Sequence, residues 1–236
     1  MLRLASGLLY PCWKALLYFL SFLGPVWVLS SLRAAPVPLL LAMAIVGYGL
    51  AGLTFLSLNI LIKRVLIGPI RATGRVTIEH PGVQRWFIAT TLTVLLDSGP
   101  FHGMTMGLSL LVPWYYRGMG AKMPDSVLIG VRALIFEPWF LEVGENVNIG
   151  SDSVILGHRG EGKDIILGRV VIEDGALIGV RAIIFPDVRV GRNAKVAAGA
   201  VVISGTSIPD GETWAGVPAR RIGNNQVAET VASATT

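Results

Sequence analysis

The chain has 236 residues, of which 53% are hydrophobic and only 15% are charged, and its formal net charge is +5. Soluble domains carry about 25% charged residues, so this composition argues against a chain made only of soluble domains. The modest positive charge comes without runs of basic and aromatic residues, which argues against nucleic-acid binding. The single cysteine, Cys12, excludes a disulfide framework.

Two long apolar segments open the chain, one from Tyr10 to Leu32 and the other from Pro36 to Ile62. Each is long enough to cross the hydrocarbon core of a bilayer, which needs about 20 residues. The first is too long for a cleavable signal peptide, and no small-x-small cleavage site follows it before the second segment. We therefore predict two transmembrane helices within residues 1–65.

Basic residues predict the orientation of these two helices. The turn between them carries only Arg33, whereas the outer flanks carry more basic residues: Arg3, Lys14, Lys63, Arg64, Arg71 and Arg75. Lys and Arg are enriched on the cytoplasmic side of membrane helices, so both ends are predicted to be cytoplasmic. The expected protein is a multi-pass protein of the cytoplasmic (inner) membrane, with the domain that follows facing the cytosol.

Residues 66–119 form a linker and a third apolar region. Asp97, Gly99-Pro100 and His102 interrupt that region, and neither half is long enough to span comfortably. We predict interfacial amphipathic or re-entrant helices, with two further spans as the alternative. Asp97 and His102 are either a functional polar pair at membrane depth or caps of helix ends. Aromatic side chains are expected at headgroup level: Trp86, Trp114, Tyr115 and Tyr116.

A strict period of six residues organises the second half of the chain. Eight successive hexads from Ile166 begin with Ile or Val, and Trp214 opens a ninth. The fifth position of each hexad is mostly small or β-branched. This period fits neither one long helix nor a series of hairpins, but it fits a chain that turns a corner every six residues. The pattern predicts a left-handed parallel β-helix over residues 120–223, followed by a disordered tail at 224–236.

The hexad phase breaks between Ile155 and Ile166, which predicts a loop that leaves the column. This loop holds His158, the one histidine of the domain, and Glu161. A histidine with a near-neutral pKa suits a general base, and a carboxylate nearby is suited to orienting it. A surface histidine beside a solvated glutamate fits the spacing equally well. A metal site needs two or three matched ligands, so we predict no metal and disfavour a zinc hydratase.

Other candidate site residues lie on the coils around this loop. Asn148 is either a hydrogen-bond donor to an oxyanion or acceptor, or an outward asparagine at a coil corner. The later coils are rich in small residues, which leave a shallow groove for a pantetheine arm, and basic residues nearby are suited to phosphates. The predicted coenzyme-binding residues are Gly179, Arg181, Lys195, Ala198 and Arg220.

These features resemble two groups of known proteins. The hexads, the loop histidine His158 and the sequence WAGVPAR resemble the hexapeptide-repeat acyltransferases over about Gly120 to Gly223. That resemblance implies a homotrimer with active sites between subunits, a histidine base and acetyl-CoA as donor. The membrane helices, KRVLIGPIRATG, RGMGAKM and the GHRGE loop are similar to the membrane-anchored terminal domains of poly-lysine-synthetase-type proteins. There a GHxxE loop, which His158 and Glu161 match, serves peptide-bond formation on a carrier-bound aminoacyl group.

The sequence therefore predicts a membrane-anchored acyltransferase. It would move an acyl group, most simply acetyl, from a CoA thioester or another acyl thioester to a hydroxyl or amine near the membrane. One alternative is amide-bond formation from an aminoacyl thioester on an acyl or peptidyl carrier protein. Another is a non-enzymatic trimeric scaffold in the membrane. The expected fold is a membrane α-helical hairpin plus interfacial helices, followed by a left-handed parallel β-helix.

Overall fold

The computed structural model describes residues 2–31, 35–77, 79–97 and 111–224. Its first half is helical, and its second half is a coil of short strands. The helices are α1 (Leu2–Ser31), α2 (Val37–Ile62), α3 (Pro81–Asp97) and α4 (Leu111–Met119). A π-helical turn, Lys63–Ile67, extends α2. His102, the side chain of Asp97 and residues 225–236 of the predicted tail lie outside the described part.

Helices α1 and α2 pack against each other and expose apolar side chains elsewhere. The ring of Tyr18 stacks on Phe55 with centroids 5.0 Å apart. The segments Lys14–Ser31 and Val37–Ile67 are long and apolar enough to cross a membrane, judged by length and composition alone. Their outward surface carries large exposed apolar side chains, among them Phe19, Trp27, Leu41 and Ile45.

Three parallel sheets form the sides of the coil. The first sheet contains β2 (Leu128–Ile129), β5 (Asn148–Ile149), β10 (Leu177–Ile178), β13 (Lys195–Val196) and β16 (Glu212–Ala215), and β17 (Arg220–Asn224) closes it in antiparallel fashion. The second contains β3 (Leu134–Ile135), β6 (Val154–Ile155), β11 (Ile183–Ile184) and β14 (Val201–Val202). The third contains β4 (Leu141–Val143), β9 (Val170–Ile172), β12 (Val188–Val190) and β15 (Ser207–Ile208). The β-helix that the period of six predicts is confirmed.

The strand register explains the hexad. Leu177 pairs with Lys195, its counterpart 18 residues later, so one coil contains three hexads. The first residue of a regular hexad is apolar and buried, as at Ile178, and the fifth is mostly small and buried, as at Ala182. The fourth residue turns the corner with a left-handed φ, for example 58° at Arg181. Glycine, asparagine and aspartate recur at that position because they adopt this conformation at low cost.

The predicted phase of the first hexad, and the predicted loop before it, are wrong in detail. Ile166 does not open a coil, because it pairs with Arg75 on one side and with Arg159 on the other. The next residue, Leu167, is the buried one. The excursion is a β-hairpin of β7 (His158–Glu161) and β8 (Asp164–Leu167), and β1 (Gly74–Thr77) adds a third antiparallel strand. The linker before the repeat therefore supports the segment that carries His158.

The aromatic residues predicted at headgroup level are mostly buried inside the protein. Trp86, Tyr115 and Tyr116 are buried, whereas Trp114 is 40% exposed. The two tyrosines are buried because α4 packs against the first coil, where the Tyr116 hydroxyl accepts a hydrogen bond from the Ile135 N–H at 3.3 Å. Trp86, on α3, is buried against Glu137 and the ring of His158. Burial also raises the pKa of the Tyr115 hydroxyl far above its ordinary value. Three of these four side chains thus belong to the protein core.

Candidate active site

Two successive coils depart from the period of six at the same corner, between the second and third sheets. In a regular coil, six residues lead from Ile183 to the equivalent position on the next sheet, Arg189. In the first coil, eight residues lead from Leu134 to the equivalent Glu142, and a 3-10 turn at Pro138–Phe140 takes up the difference. The second coil sends out the hairpin at this corner. The extra residues of adjacent coils therefore lie next to each other.

Glu137 is buried at this corner, and its side chain is 0% exposed. The N–H of Trp86 Nε1 and the hydroxyl of Thr90 donate to its Oε1 atom at 3.1 and 3.2 Å. The backbone N–H of Gly157 donates to Oε2 at 2.8 Å. A buried carboxylate is costly unless such donors replace its hydration shell. The site is therefore built from α3, the first coil and the base of the hairpin.

His158 faces this carboxylate from the first residue of the hairpin. Its Nδ1 atom lies 2.8 Å from Glu137 Oε1, although the pair lacks the linear alignment of a full hydrogen bond. Catalytic hydrogen bonds are often loose before substrate binds. The imidazole also packs on the rings of Trp86 and Phe136, with centroids 4.9 and 5.9 Å away. With Nδ1 turned to the carboxylate, Nε2 is the nitrogen left to act on a substrate proton.

The structure places Glu161 away from the imidazole. Its carboxylate pairs with Arg75 at 2.6 Å and with Arg159 at 2.8 Å. Because His158 and Glu161 are three positions apart on an extended strand, their side chains point to opposite faces. The ion pair ties the hairpin to β1, and its hydrogen bond raises the pKa of the Arg75 guanidinium. The carboxylate beside His158 is Glu137, which the sequence analysis missed together with Trp86 and Thr90.

Asn148 and Lys195 lie on a different side of the coil from the hairpin. Both are exposed on the first sheet, where Leu177 pairs with each of them. The hairpin leaves the column after the second sheet. Within one chain, the structure therefore does not bring these two residues to His158.

The other predicted coenzyme-binding residues also lie away from the hairpin. Gly179 is required by coil stacking, since a Cβ there would lie 2.5 Å from the Ala198 backbone nitrogen. Arg181 is exposed at the corner that follows the first sheet. Arg220 is exposed on β17, and its guanidinium donates to the Ala219 carbonyl at 3.0 Å. Among the residues that the structure describes, no group of three or more His, Cys, Asp or Glu is arranged to hold a metal ion.

Comparison with known proteins identifies the family. Residues 169–204 match the family model described as the hexapeptide repeat of succinyl-transferase. The protein named "Putative acetyltransferase YvoF" from Bacillus subtilis is 34% identical over 126 residues, which cover 52% of this chain and 68% of that protein. The chain belongs to the hexapeptide-repeat acyltransferase family. Its β-helix is accordingly of the left-handed kind that the repeat predicts.

Two further relatives match the chain over different lengths. The delta-poly-L-ornithine synthetase of Acinetobacter baumannii is 26% identical over 188 residues, which cover 80% of this chain and 14% of that protein. That match is too long to fit within the β-helix, so it includes part of the helical half. The mitochondrial gamma carbonic anhydrase 2 of Arabidopsis thaliana is 33% identical over 105 residues, covering 44% of this chain and 34% of that enzyme. The chain thus spans only a minor part of these two relatives.

Proposed function

We propose that this protein is a membrane-anchored acyltransferase that moves an acyl group, most simply acetyl, from a CoA thioester to a hydroxyl or amine of an acceptor at the membrane surface. The observation that carries the proposal is the pairing of His158 with the buried carboxylate of Glu137. An imidazole that is 26% exposed and lies beside a buried carboxylate is suited to act as the general base of acyl transfer, the role that the family resemblance implies.

The geometry supports a complete proton path. His158 Nε2 takes the proton of the acceptor hydroxyl or amine while the acceptor oxygen or nitrogen bonds to the thioester carbonyl carbon. The tetrahedral adduct collapses, the carbon–sulfur bond breaks, and the leaving thiolate takes the proton from the imidazolium. His158 is then neutral again. Glu137 holds the Nδ1–H and stabilises the imidazolium charge while the adduct exists.

Membrane anchoring is supported by the outward surface of α1 and α2. Exposed apolar side chains such as Trp27 and Ile45 are 71% and 74% exposed, and the rest of the described chain does not cover them. Large exposed apolar side chains in such number are typical of a surface that contacts lipid or another protein. Together with the basic flanks, it supports a multi-pass protein of the cytoplasmic membrane whose β-helix faces the cytosol, where CoA is found.

A homotrimer accounts for the residues that lie far from His158 within one chain. The family resemblance implies active sites between subunits. Asn148 and Lys195 are exposed on the first sheet, and Arg181 and Arg220 lie at its border. We propose that these residues meet the hairpin of a neighbouring copy and bind the coenzyme there. The small residues Gly179 and Ala198 would then leave a shallow groove along the backbone for the pantetheine arm.

One alternative donor is supported by the match to the delta-poly-L-ornithine synthetase, which extends into the helical half. In this alternative, a carrier protein presents an aminoacyl thioester, and His158 deprotonates an amine that attacks it. The leaving thiol is then the phosphopantetheine of the carrier. The residues and proton path are unchanged, but the donor and the product differ.

The test is a transfer assay on the full chain in nanodiscs. The donor is radiolabelled acetyl-CoA, and the acceptors come from membranes of the cells that produce the protein. We expect labelled product with the wild type, background with His158→Ala, and wild-type rates with His80→Ala, an exposed histidine at the start of α3. Label from an aminoacyl-loaded carrier protein but not from acetyl-CoA favours the alternative. Equal rates above background for wild type and His158→Ala contradict both mechanisms, and background label from the wild type with both donors leaves the scaffold.

A further inference from the structure

Helix α3 supplies two of the donors that hold Glu137, although it lies outside the β-helix. Trp86 and Thr90 are four residues apart, so they share one face of the helix. Both side chains are buried, at 6% and 9% exposure, and both donate to the same oxygen, Oε1. The opposite face of α3 is exposed at Phe87 and Ile88. The buried face is therefore directed at the acid that faces His158.

We infer that Trp86 and Thr90 are positioning residues of the active site, and that α3 completes the His158–Glu137 pair from outside the repeat domain. This inference rests on the proposed acyl transfer by His158. It assigns a role in the reaction to the segment between the membrane helices and the β-helix. It also implies that the β-helix alone lacks two of the donors on which its buried carboxylate depends.

A comparison of the threonines of α3 distinguishes a role in positioning Glu137 from ordinary packing of the helix. Thr91 and Thr93 donate back to carbonyls of their own helix, those of Phe87 and Ala89, at 2.8 and 3.3 Å. Such bonds are common for threonine in helices and point to no partner elsewhere. Thr90 donates instead across the protein to a carboxylate 47 residues away in sequence. Its hydroxyl therefore contributes to the site and not to the helix.

The two donors fix the one oxygen that His158 needs. Glutamate has several rotatable bonds, and the backbone N–H of Gly157 holds only the other oxygen, Oε2. Trp86 and Thr90 hold Oε1, the atom 2.8 Å from His158 Nδ1. The indole also packs on the imidazole ring, with the centroids 4.9 Å apart. Small displacements of a base from its productive position cost up to about a hundredfold in rate.

Helix α3 also contacts the π-helical turn at the end of α2. The chain of contacts therefore runs from the second long apolar helix, through α3, to Glu137. A change in the position of α2 is therefore expected to displace Trp86 and Thr90 and so to alter the active site. This gives a physical reason for an acyltransferase domain to be continuous with its helical half.

The experiment measures transfer from acetyl-CoA by the full chain in nanodiscs, with Trp86→Phe and Thr90→Val. Each variant removes one donor and keeps a similar shape. We expect kcat to fall about tenfold for each, with the KM for acetyl-CoA unchanged within about twofold. Thr90→Ser, which keeps the hydroxyl, is expected to retain most of the rate. Matched controls are Thr91→Val on the same helix and the exposed Trp114→Phe, both expected to match the wild type.

A double-mutant cycle separates positioning from packing. In a Glu137→Gln background, Trp86→Phe and Thr90→Val are expected to cost less than about twofold further, because the carboxylate they hold is gone. Equal losses in both backgrounds, a rise in KM without a fall in kcat, or rates equal to Thr91→Val overturn the inference. If His158→Ala is as active as the wild type, the proposed function fails. If His158→Ala is inactive while the Trp86 and Thr90 variants keep the wild-type rate, the proposed function stands and only the role of α3 is contradicted.

Discussion

The regular coils and the corner that carries His158 follow opposite rules. In the regular coils, inward positions such as Ile184, Val190 and Val202 are apolar and fully buried, and each coil repeats the contacts of the last. At the corner, a carboxylate is buried instead, and segments from three parts of the chain converge on it. The regular repeats stabilise the column, whereas the proposed chemistry depends on the place where the chain leaves it.

The free-energy cost of burying a carboxylate at this corner argues for a functional role. Burying an ionised carboxylate costs several kcal/mol before its partners are counted. The three hydrogen bonds from Trp86, Thr90 and Gly157 offset this cost at Glu137. An apolar residue in the same place would need none of them. Such a departure from an otherwise apolar, repetitive column is typical of functional sites, in line with the role proposed for Glu137.

The largest expected effect distinguishes Glu137, which faces His158, from Glu161, the carboxylate that the sequence predicts beside it. Glu137→Gln leaves the shape but removes the charge that stabilises the imidazolium, so transfer should fall about a hundredfold. Glu161→Gln breaks only the exposed pairs with Arg75 and Arg159 and should cost about threefold or less. Initial rates from acetyl-CoA measure both. A larger loss for Glu161→Gln would restore the hairpin carboxylate as the partner of the histidine.

The second effect tests how tightly the corner is packed. A Cβ at Gly157 would lie 2.9 Å from the Cβ of Glu137 and from a ring carbon of Phe140. Gly157→Ala should therefore cost about 1–3 kcal/mol and lower the melting temperature by several degrees. Gly160→Ala is the matched control, since nothing lies within 4 Å of a Cβ there. Thermal unfolding checks the pair, and equal melting temperatures would show that the corner is loosely packed.

The smallest effect comes from the side of the column. The hydrogen bond with Lys122, assisted by Arg169, lowers the pKa of Glu142. Because the folded pKa lies below the unfolded one, the stabilisation is present above the ordinary value of 4.5 and is lost as pH falls through the folded value. Glu142→Gln should lower the melting temperature by about 2 °C or less at neutral pH, and by progressively less as the pH falls below the ordinary value of 4.5. A difference that grows on acidification would contradict this sign.

The sequence alone predicts the column well and the site poorly. Ile and Val at every sixth position specify the coil, because only buried apolar residues satisfy its interior. The pairing of Ile166 with neighbouring strands was invisible, since it depends on β1, a segment about ninety residues earlier. Glu137 was missed because its partners are distant in sequence. One signal was available in the sequence: the extra residues that two adjacent coils add to the period of six fall at the same corner of the column.

The helical half shows the same division. Apolar length alone predicts the two long helices. Burial of Trp86 and Tyr116 follows from the first coil that covers them, and no local pattern encodes that cover. An aromatic residue at the edge of an apolar segment fits a headgroup layer and a protein core equally well. Tertiary packing decided between the two.

The decisive measurement is a structure of the full chain bound to CoA. If His158 is the base of an acyl transfer, the CoA sulfur should lie about 3–4 Å from His158 Nε2, with Nδ1 still facing Glu137. The pantetheine arm should follow the first sheet of a neighbouring copy. A coenzyme whose sulfur lies far from every His158 would contradict the account, as would a saturating CoA concentration that leaves no bound coenzyme.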